Sequence, residues 1–340
     1  MAFFHITEGH IMKFPRRQFL SLAASAVALL AVSQIARAQI YPTRPITIIV
    51  PFAAGGPADT VARIVSERMR TTLGQPMIIE NVSGATGSVG VSRAVRAPAD
   101  GYTLIAGTLT THVLIGALYT LQYDLLDDFK PVALLADGPL LMTARQMMPA
   151  SDLKGLIAWL KANPDKASQG ITGVGAIEHV AAVLLQKQTG TRFQIVPYRG
   201  NAPAMQDLLA GQIDMMLADA ATSLPYVSGG QIKAYAVMAK TRMAAAPNIP
   251  TVDEAGLSGF YASLWYGLWA PARTPADVIS KLNAAAVGAL ADPSVRKRLA
   301  ELGQDIPTPA QQTPEALGAV QKAEIEKWWP VMKAANIRAE

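Results

Sequence analysis

Short β-rich runs alternate with alanine-rich helical runs along most of the chain, and this alternation limits the folds open to it. Ile46–Val50 is typical of a buried strand, and residues 58–73 are typical of a helix that ends at Gly74. Further strands are predicted at residues 77–80, 102–106, 132–135, 140–143, 167–171, 193–197, 213–217, 232–238 and 264–270. The alternation predicts an α/β fold in which helices cover both faces of mainly parallel sheets.

The first 38 residues have the three parts of an export signal. The basic pair Arg16-Arg17 precedes an apolar segment over residues 20–32, and Ala36-Arg37-Ala38 fits the small-x-small rule for cleavage. The apolar segment is too short to cross a bilayer comfortably as a helix. We therefore predict export and cleavage before Gln39. A twin-arginine signal and an ordinary secretory signal both fit, and Met12 is an alternative start.

The composition argues against several classes of function. The leader carries four basic side chains and Glu8, so about +2 of the formal net charge of +5 remains on the mature chain. No basic tract would follow a nucleic acid backbone, so we expect no nucleic acid partner. Cysteine is absent, which excludes thiol nucleophiles and thiolate zinc sites. Without a metal-ligand spacing or a nucleophile-elbow motif, we expect no catalytic residue, no metal and no cofactor.

The loop after the first strand is the first candidate binding site. Gly55 and Gly56 allow backbone N–H groups to turn toward a ligand, and Pro57 suits the first turn of the helix that follows. The free N–H groups and partial positive charge of this helix N-terminus suit a carboxylate or a phosphate. The alternative is a purely structural turn in which Asp59 satisfies the first N–H groups of the helix.

A second loop of the same kind follows the strand predicted at residues 167–171. Gly173 and Gly175 turn the chain into the next helix, and two such helix N-termini would grip both ends of a small acid. His112 and His179 each follow a strand end and would donate hydrogen bonds to such an acid. In the alternative interpretation, both histidines are structural donors within the fold.

A series of short motifs carries a resemblance over roughly residues 41–336. In chain order they are Tyr41-Pro42-x-Arg44-Pro45-Ile46, Pro51-Phe52-x-x-Gly55-Gly56-x-x-Asp59, Glu80-Asn81, Gly84-Ala85-x-Gly87, Ala99-Asp100-Gly101-Tyr102-Thr103-Leu104, Asp128-Phe129-x-Pro131-Val132, Pro197-Tyr198-Arg199-Gly200, Gly211-Gln212-Ile213-Asp214, Ile249-Pro250-Thr251 and Trp265-Tyr266-Gly267-Leu268. In order and spacing, the chain resembles the Bug family of periplasmic solute-binding receptors, the extracytoplasmic components of tripartite tricarboxylate transporters.

The resemblance implies a two-lobed type II periplasmic-binding-protein fold. Each lobe would be a mainly parallel sheet flanked by helices, with the ligand cleft between the lobes. After the signal at residues 1–38, the first lobe would comprise residues 39–138 and 265–340, and the second would comprise residues 139–264. The C-terminal helices would thus return to the first lobe.

The resemblance also implies a function. The chain would be a monomeric periplasmic receptor, not an enzyme, that delivers a small organic acid to the membrane permease subunits of a tripartite tricarboxylate transporter. The acid would be a mono-, di- or aromatic carboxylate. An exported carboxylate sensor that partners a periplasmic signalling domain is an alternative. An exported hydrolase or isomerase is less favoured, because the mature chain has two histidines and no nucleophile motif.

The resemblance carries over to a set of candidate ligand-binding residues in four segments of the chain. They are Phe52, Ala53, Ala54, Gly55, Gly56 and Asp59 in the first loop, Thr108, Thr111 and His112 after the third strand, Gly173, Gly175, Ala176 and His179 in the second glycine loop, and Asp219 after a later strand. In this family pattern, Asp219 would select an amino or a hydroxyl group of the ligand.

Two departures from the family pattern bear on the ligand. Family members commonly carry serine where this chain has Ala176, so a hydroxyl donor is missing. Glu178 follows two residues later and, if it faces the cleft, would repel a second carboxylate and favour a monocarboxylate, an aromatic acid or a zwitterion. Alternatively, Glu178 points to solvent from the helix start, where a negative charge is favourable.

Overall fold

Long runs of buried apolar residues determine the strands of the fold. In β1, Ile46, Ile48, Ile49 and Val50 are all buried, as expected of a strand covered on both faces. The structure is a computed structural model that describes residues 41–337, so the predicted export signal and the alternative start at Met12 lie outside the described residues. The described strands are β1 Ile46–Val50, β2 Met77–Asn81, β3 Thr103–Thr108, β4 Phe129–Arg145, β5 Ser168–Ile171, β6 Gln194–Pro197, β7 Met215–Asp219, β8 Ile232–Val237 and β9 Ser263–Pro271.

The helices between and after the strands match the alternation expected from the sequence. They are α1 Pro57–Leu73, α2 Ser88–Val95, α3 Leu109–His112, α4 Leu153–Ala162, α5 Ile177–Thr189, α6 Asn201–Leu209, α7 Ala220–Ser228, α8 Ala276–Ala291, α9 Pro293–Glu301 and α10 Pro314–Ala334. Single 3₁₀ turns lie at Ala85–Gly87, Leu114–Ala117 and Pro309–Gln311. None of the helices within residues 41–337 has the length and apolar character needed to cross a bilayer.

The sheet order separates two lobes. The strands follow the order β2-β1-β3-β9-β4-β7-β5-β6, and β8 also pairs with β4. In the first lobe β1 pairs in parallel with β2 and β3, and in the second lobe β5 pairs in parallel with β6 and β7. The strands β4 and β9 run antiparallel to their neighbours between these groups. The fold is therefore two-lobed and α/β, with parallel outer strands and antiparallel central ones.

The long strand β4 connects the two lobes. The sequence predicts two separate strands here, because Asp137-Gly138-Pro139 is typical of a turn. The structure instead has one strand of 17 residues, which pairs with β9 as far as Pro139 and with β7 from Leu140 onward. Gly138 suits this crossing, since a Cβ atom there would lie 2.6 Å from the side-chain amide of Gln304.

The C-terminal helices pack against elements of the first lobe. Helix α8 contacts α1, and Arg68 of α1 forms an ion pair with Asp292 at 2.8 Å. Buried Gln321 of α10 accepts a hydrogen bond from the indole of Trp269 and donates to the carbonyls of His112 and Leu125. The chain from Arg44 onward forms one compact unit, so the residue limits of the lobes stay a prediction.

Candidate functional site

A small cavity lies where the start of α1 faces the start of α5. Its volume is about 30 Å³, which holds a water molecule or two. The residues that line it come from both lobes: Phe52, Ala53, Gly56, Pro57, Ala58, Thr108, Thr110, Thr172, Glu178, Gly200, Asn201, Ala202 and Leu264. Because a small organic acid is larger than this space, its entry requires the two walls to move apart.

The loop before α1 is held in shape by Asp59. One oxygen of this buried carboxylate accepts hydrogen bonds from the backbone N–H of Gly55 and from Arg63, both at 2.9 Å. The other oxygen accepts from Asn81, whose amide also donates to the carbonyl of Phe52. Burial alone would raise the pKa of Asp59, but these hydrogen bonds and the charge of Arg63 outweigh it and lower the pKa. Asp59 therefore braces the loop and stays ionised.

The N-terminus of α1 gives the cavity a wall of hydrogen-bond donors. The cap residue Gly56 has no side chain to bond the first N–H groups of the helix. Those of Ala58 and Asp59 have no acceptor within the helix, as at any helix start. Gly56 and Ala58 line the cavity, so the positive end of the helix dipole faces it. This wall suits an anion such as a carboxylate.

Glu178 supplies a negative group on the opposite wall. Its side chain is buried at 2% exposure, which rules out the alternative that it points to solvent. Thr172 donates a hydrogen bond to it at 2.8 Å. Burial, with a smaller contribution from the nearby carboxylate of Asp219, raises the pKa of Glu178 to about 7 despite the opposing effect of its hydrogen bonds. Glu178 thus titrates near neutral pH.

Two buried polar atoms of the cavity lining have no hydrogen-bond partner among the described residues. They are Oδ1 of Asn201 and Oγ1 of Thr108, on side chains that are 5% and 1% exposed. Buried polar atoms normally have a partner, because leaving one unmet costs about 1–3 kcal/mol. Both atoms therefore lie where a molecule in the cavity would meet them.

The second glycine loop lies next to the cavity but does not line it. Gly173 and Gly175 have φ angles of +149° and +83°, and the backbone N–H of Gly175 donates to Nδ1 of His179 at 2.9 Å. Ala176 is fully buried as the cap residue of α5. None of these four residues is among those that line the cavity described above. They shape the start of α5 and so position Glu178.

His112 is fully buried in the core and is not among the residues that line the cavity. Its ring stacks on Trp269 with 3.8 Å between centroids, and Phe129 packs edge-on against it. Complete burial lowers the pKa of His112 to about 3, so the ring is neutral. The neighbouring Thr111 contacts Nδ1 of His112 at 3.0 Å and caps α3 by bonding the N–H of Thr108.

Asp219 also lies outside the cavity lining. The carboxylate caps α7 by accepting from the N–H of Ala221 at 2.7 Å, and it accepts from Tyr266 at 2.6 Å and from Gln304. Burial raises the pKa of Asp219 to about 6 despite these bonds. In this structure the hydrogen bonds of Asp219 are made within the protein, and its charge acts on Glu178.

A larger cavity of about 610 Å³ lies beside β4 and β9, in a different place from the first. Trp265 and Gln304 line it, and each has a buried polar atom without a partner among the described residues. It lacks a helix N-terminus of the kind that faces the first cavity. We therefore take the first cavity as the candidate site.

The candidate residues of the sequence thus fall into two groups. Phe52, Ala53, Gly56 and Thr108 line the cavity, whereas Ala54, Gly55, Asp59, Thr111, His112, Gly173, Gly175, Ala176, His179 and Asp219 do not. Lining residues that were not singled out are Pro57, Ala58, Thr110, Thr172, Gly200, Asn201, Ala202 and Leu264. The motif Pro197-Tyr198-Arg199-Gly200 directly precedes Asn201 at the start of α6. It is the sequence signal that could have identified Asn201 as a lining residue.

Known proteins match the chain along most of its length. The family model described as the tripartite tricarboxylate transporter family receptor matches residues 61–337. Protein BugT of Bordetella pertussis is 30% identical over 94% of this chain and 98% of its own length. The solved structure of the periplasmic binding protein BugD is 37% identical, with a TM-score of 0.84 over 88% of this chain and 100% of that chain.

A further solved structure carries a ligand. MatC from Rhodopseudomonas palustris, with bound malate, is 40% identical to this chain, with a TM-score of 0.82 over 86% of this chain and 99% of that chain. The chain therefore belongs to the Bug family of solute-binding receptors of tripartite tricarboxylate transporters.

Proposed function

We propose that this chain is an exported receptor of the periplasm that captures a small organic carboxylate between its lobes and delivers it to the membrane permease subunits of a tripartite tricarboxylate transporter. The observation that carries the proposal is the N-terminus of α1, which has no side-chain cap and lines a small cavity together with Thr108 and Asn201. MatC, a similar protein, has malate bound. The predicted export signal supports the periplasmic location.

In this proposal the carboxylate of the ligand accepts hydrogen bonds from the first N–H groups of α1. Phe52, Ala53 and Gly56 form the surrounding wall, and Thr108 adds a hydroxyl group. Asp59 keeps the loop in position without meeting the ligand. The second lobe closes over the acid, because α5 and α6 supply the facing residues Glu178 and Asn201.

A thermal-shift screen of the mature chain tests the proposal. The protein is unfolded and refolded first to remove any retained ligand, and the panel contains mono-, di-, tri-, aromatic and amino carboxylates. A ligand at about a hundred times its Kd should add roughly 2.7 kcal/mol to the free energy of unfolding. A clear shift with one class of acid, recovered chemically unchanged, supports a receptor. No shift with any acid by a folded protein contradicts it, and turnover of the acid favours an enzyme.

A further inference from the structure

Glu178 occupies the position at the start of α5 where a second anion would bind. It stands in the first turn of the helix, and its own backbone N–H bonds its carboxylate. The hydroxyl of Thr172 and the side chain of Asn201 also donate to it. The donors at a helix N-terminus attract an anionic group. At the start of α5, the carboxylate of Glu178 already occupies this anion position, which faces α1.

The two walls of the cavity therefore differ in hydrogen-bonding character. The α1 wall offers the N–H groups of its first turn, while the α5 and α6 wall offers the carboxylate of Glu178 and the unpartnered Oδ1 of Asn201. A carboxylate fits the first wall. The second wall consists of acceptors, so it is complementary to a hydroxyl or an ammonium group.

We propose that Glu178 sets the ligand class: a monocarboxylate that points a hydroxyl or ammonium donor at Glu178 and Asn201, with dicarboxylates excluded. This inference rests on the proposed function and deepens it. A second ligand carboxylate would face the carboxylate of Glu178 across a space shielded from water, where like charges repel strongly. A donor group in the same place would satisfy Oδ1 of Asn201 and relieve the buried charge.

Isothermal titration calorimetry at pH 8 on the refolded mature chain tests this. The probes are matched series of three to six carbons that differ only at the far end: the α,ω-diacid, the ω-hydroxy acid, the ω-amino acid and the plain fatty acid. We expect the wild type to bind the hydroxy or the amino acid of one length at least tenfold more tightly than the diacid or the plain acid of that length.

The variant Glu178→Gln removes the charge and keeps the shape, so it should strengthen binding of the diacid at least tenfold. Glu315→Gln is the matched control, because Glu315 also stands in the first turn of a helix but is exposed. The Glu315→Gln variant should leave the ratios of affinity among the four kinds of acid unchanged.

Tight binding of a diacid by the wild type at pH 8 overturns the inference and leaves the proposed function standing. So does a Glu178→Gln variant with unchanged selectivity. If no acid of any class binds, both are overturned. Should Glu178→Gln fail to fold, the wild-type ratio between donor-bearing acid and diacid decides alone.

Discussion

The hydroxyl of Thr86 donates a hydrogen bond to the backbone carbonyl of Val174, with 2.9 Å between the two oxygens. Thr86 belongs to the first lobe, in a 3₁₀ turn, and Val174 belongs to the glycine loop before α5. The hydroxyl of Tyr119 donates to the same carbonyl at 3.5 Å, and the N–H of Ile177 donates to Thr110 at 3.4 Å. With the predicted limits of the lobes, these bonds join the two lobes, and we expect them to hold the cleft closed.

Replacing Thr86 with valine should weaken ligand binding about three- to tenfold. The change keeps the branched shape and removes one hydrogen bond of the closed form, which contributes roughly 0.5–1.5 kcal/mol. Titration calorimetry with the acid found in the screen measures the effect. Thr120→Val, at an exposed position of the same lobe, is the control and should bind as the wild type does. Equal affinities of the two variants would argue against a role of this bond in closure.

Gly175 should be intolerant of any side chain when the cleft closes. Its φ angle is +83°, and a Cβ atom would lie 1.6 Å from Cδ1 of Leu118 in the first lobe. We expect Gly175→Ala to lose at least tenfold in affinity while remaining folded, because the open form relieves the clash.

The matched control for this variant is Gly190→Ala. Gly190 has a φ angle of +65° but open space around its Cβ position, so the backbone strain is similar and the clash is absent. It should lower the melting temperature slightly and leave affinity unchanged. Adding Leu118→Ala to Gly175→Ala should restore part of the affinity. An equal loss of affinity in both alanine variants would attribute the effect to strain alone.

The stability of the chain should depend on the ionisation of Glu178. Its pKa is raised from 4.5 to about 7 by burial, with Asp219 adding to the shift and Tyr266 as the other titratable neighbour. The folded state therefore binds the proton more tightly than the unfolded state, and stability is lost as pH rises through the folded pKa. Asp219 titrates in both the wild type and Glu178→Gln, so their difference reports the ionisation of Glu178 together with its coupling to Asp219.

Between pH 4.5 and pH 8, the free energy of unfolding of Glu178→Gln should rise relative to that of the wild type by on the order of 3 kcal/mol. Urea unfolding at several pH values measures the difference in free energy of unfolding. If the difference in free energy of unfolding between the two proteins does not change with pH, the carboxyl group of Glu178 is not buried in the folded state.

Asp59 should have the opposite pH dependence. Its pKa is lowered below 3.8, so its stabilising contribution is present above that value and is lost as pH falls through the folded pKa. Asp59→Asn should cost about 1–3 kcal/mol at pH 7, because the bonds from Gly55, Arg63 and Asn81 lose their charged acceptor. The cost should shrink toward pH 3. Urea unfolding at both pH values measures this loss in the free energy of unfolding. An equal loss at pH 7 and pH 3 would contradict the role of ionised Asp59 in holding the loop before α1.

The strand–helix alternation and the α1 loop could be predicted from the sequence because their signals are local. Buried apolar runs mark β1, and Gly55, Gly56 and Pro57 mark the turn into α1. The continuity of β4 could not be predicted in this way. Asp137-Gly138-Pro139 has the composition of a turn, and only pairing with the distant β9 keeps it extended.

The side chains of the site were harder to place than its loops. His112 and Thr108 follow the same strand, yet Thr108 lines the cavity and His112 stacks on Trp269. Which of them faces the cleft depends on packing against β9, which is remote in sequence. Asp219 is similar, because Tyr266 and Gln304 draw its carboxylate away from the cavity. The sequence indicates Glu178 as a departure from the family pattern, but its orientation follows from the contact with Thr172, which the sequence does not show.

The binding mode is tested most directly by a crystal structure of the mature chain with its best-binding acid. We expect the ligand carboxylate about 2.9 Å from the N–H groups at the start of α1, with the opposite end of the ligand at Glu178 and Asn201. An acid bound instead in the larger cavity beside Trp265 and Gln304, with the cavity at α1 empty, would contradict it.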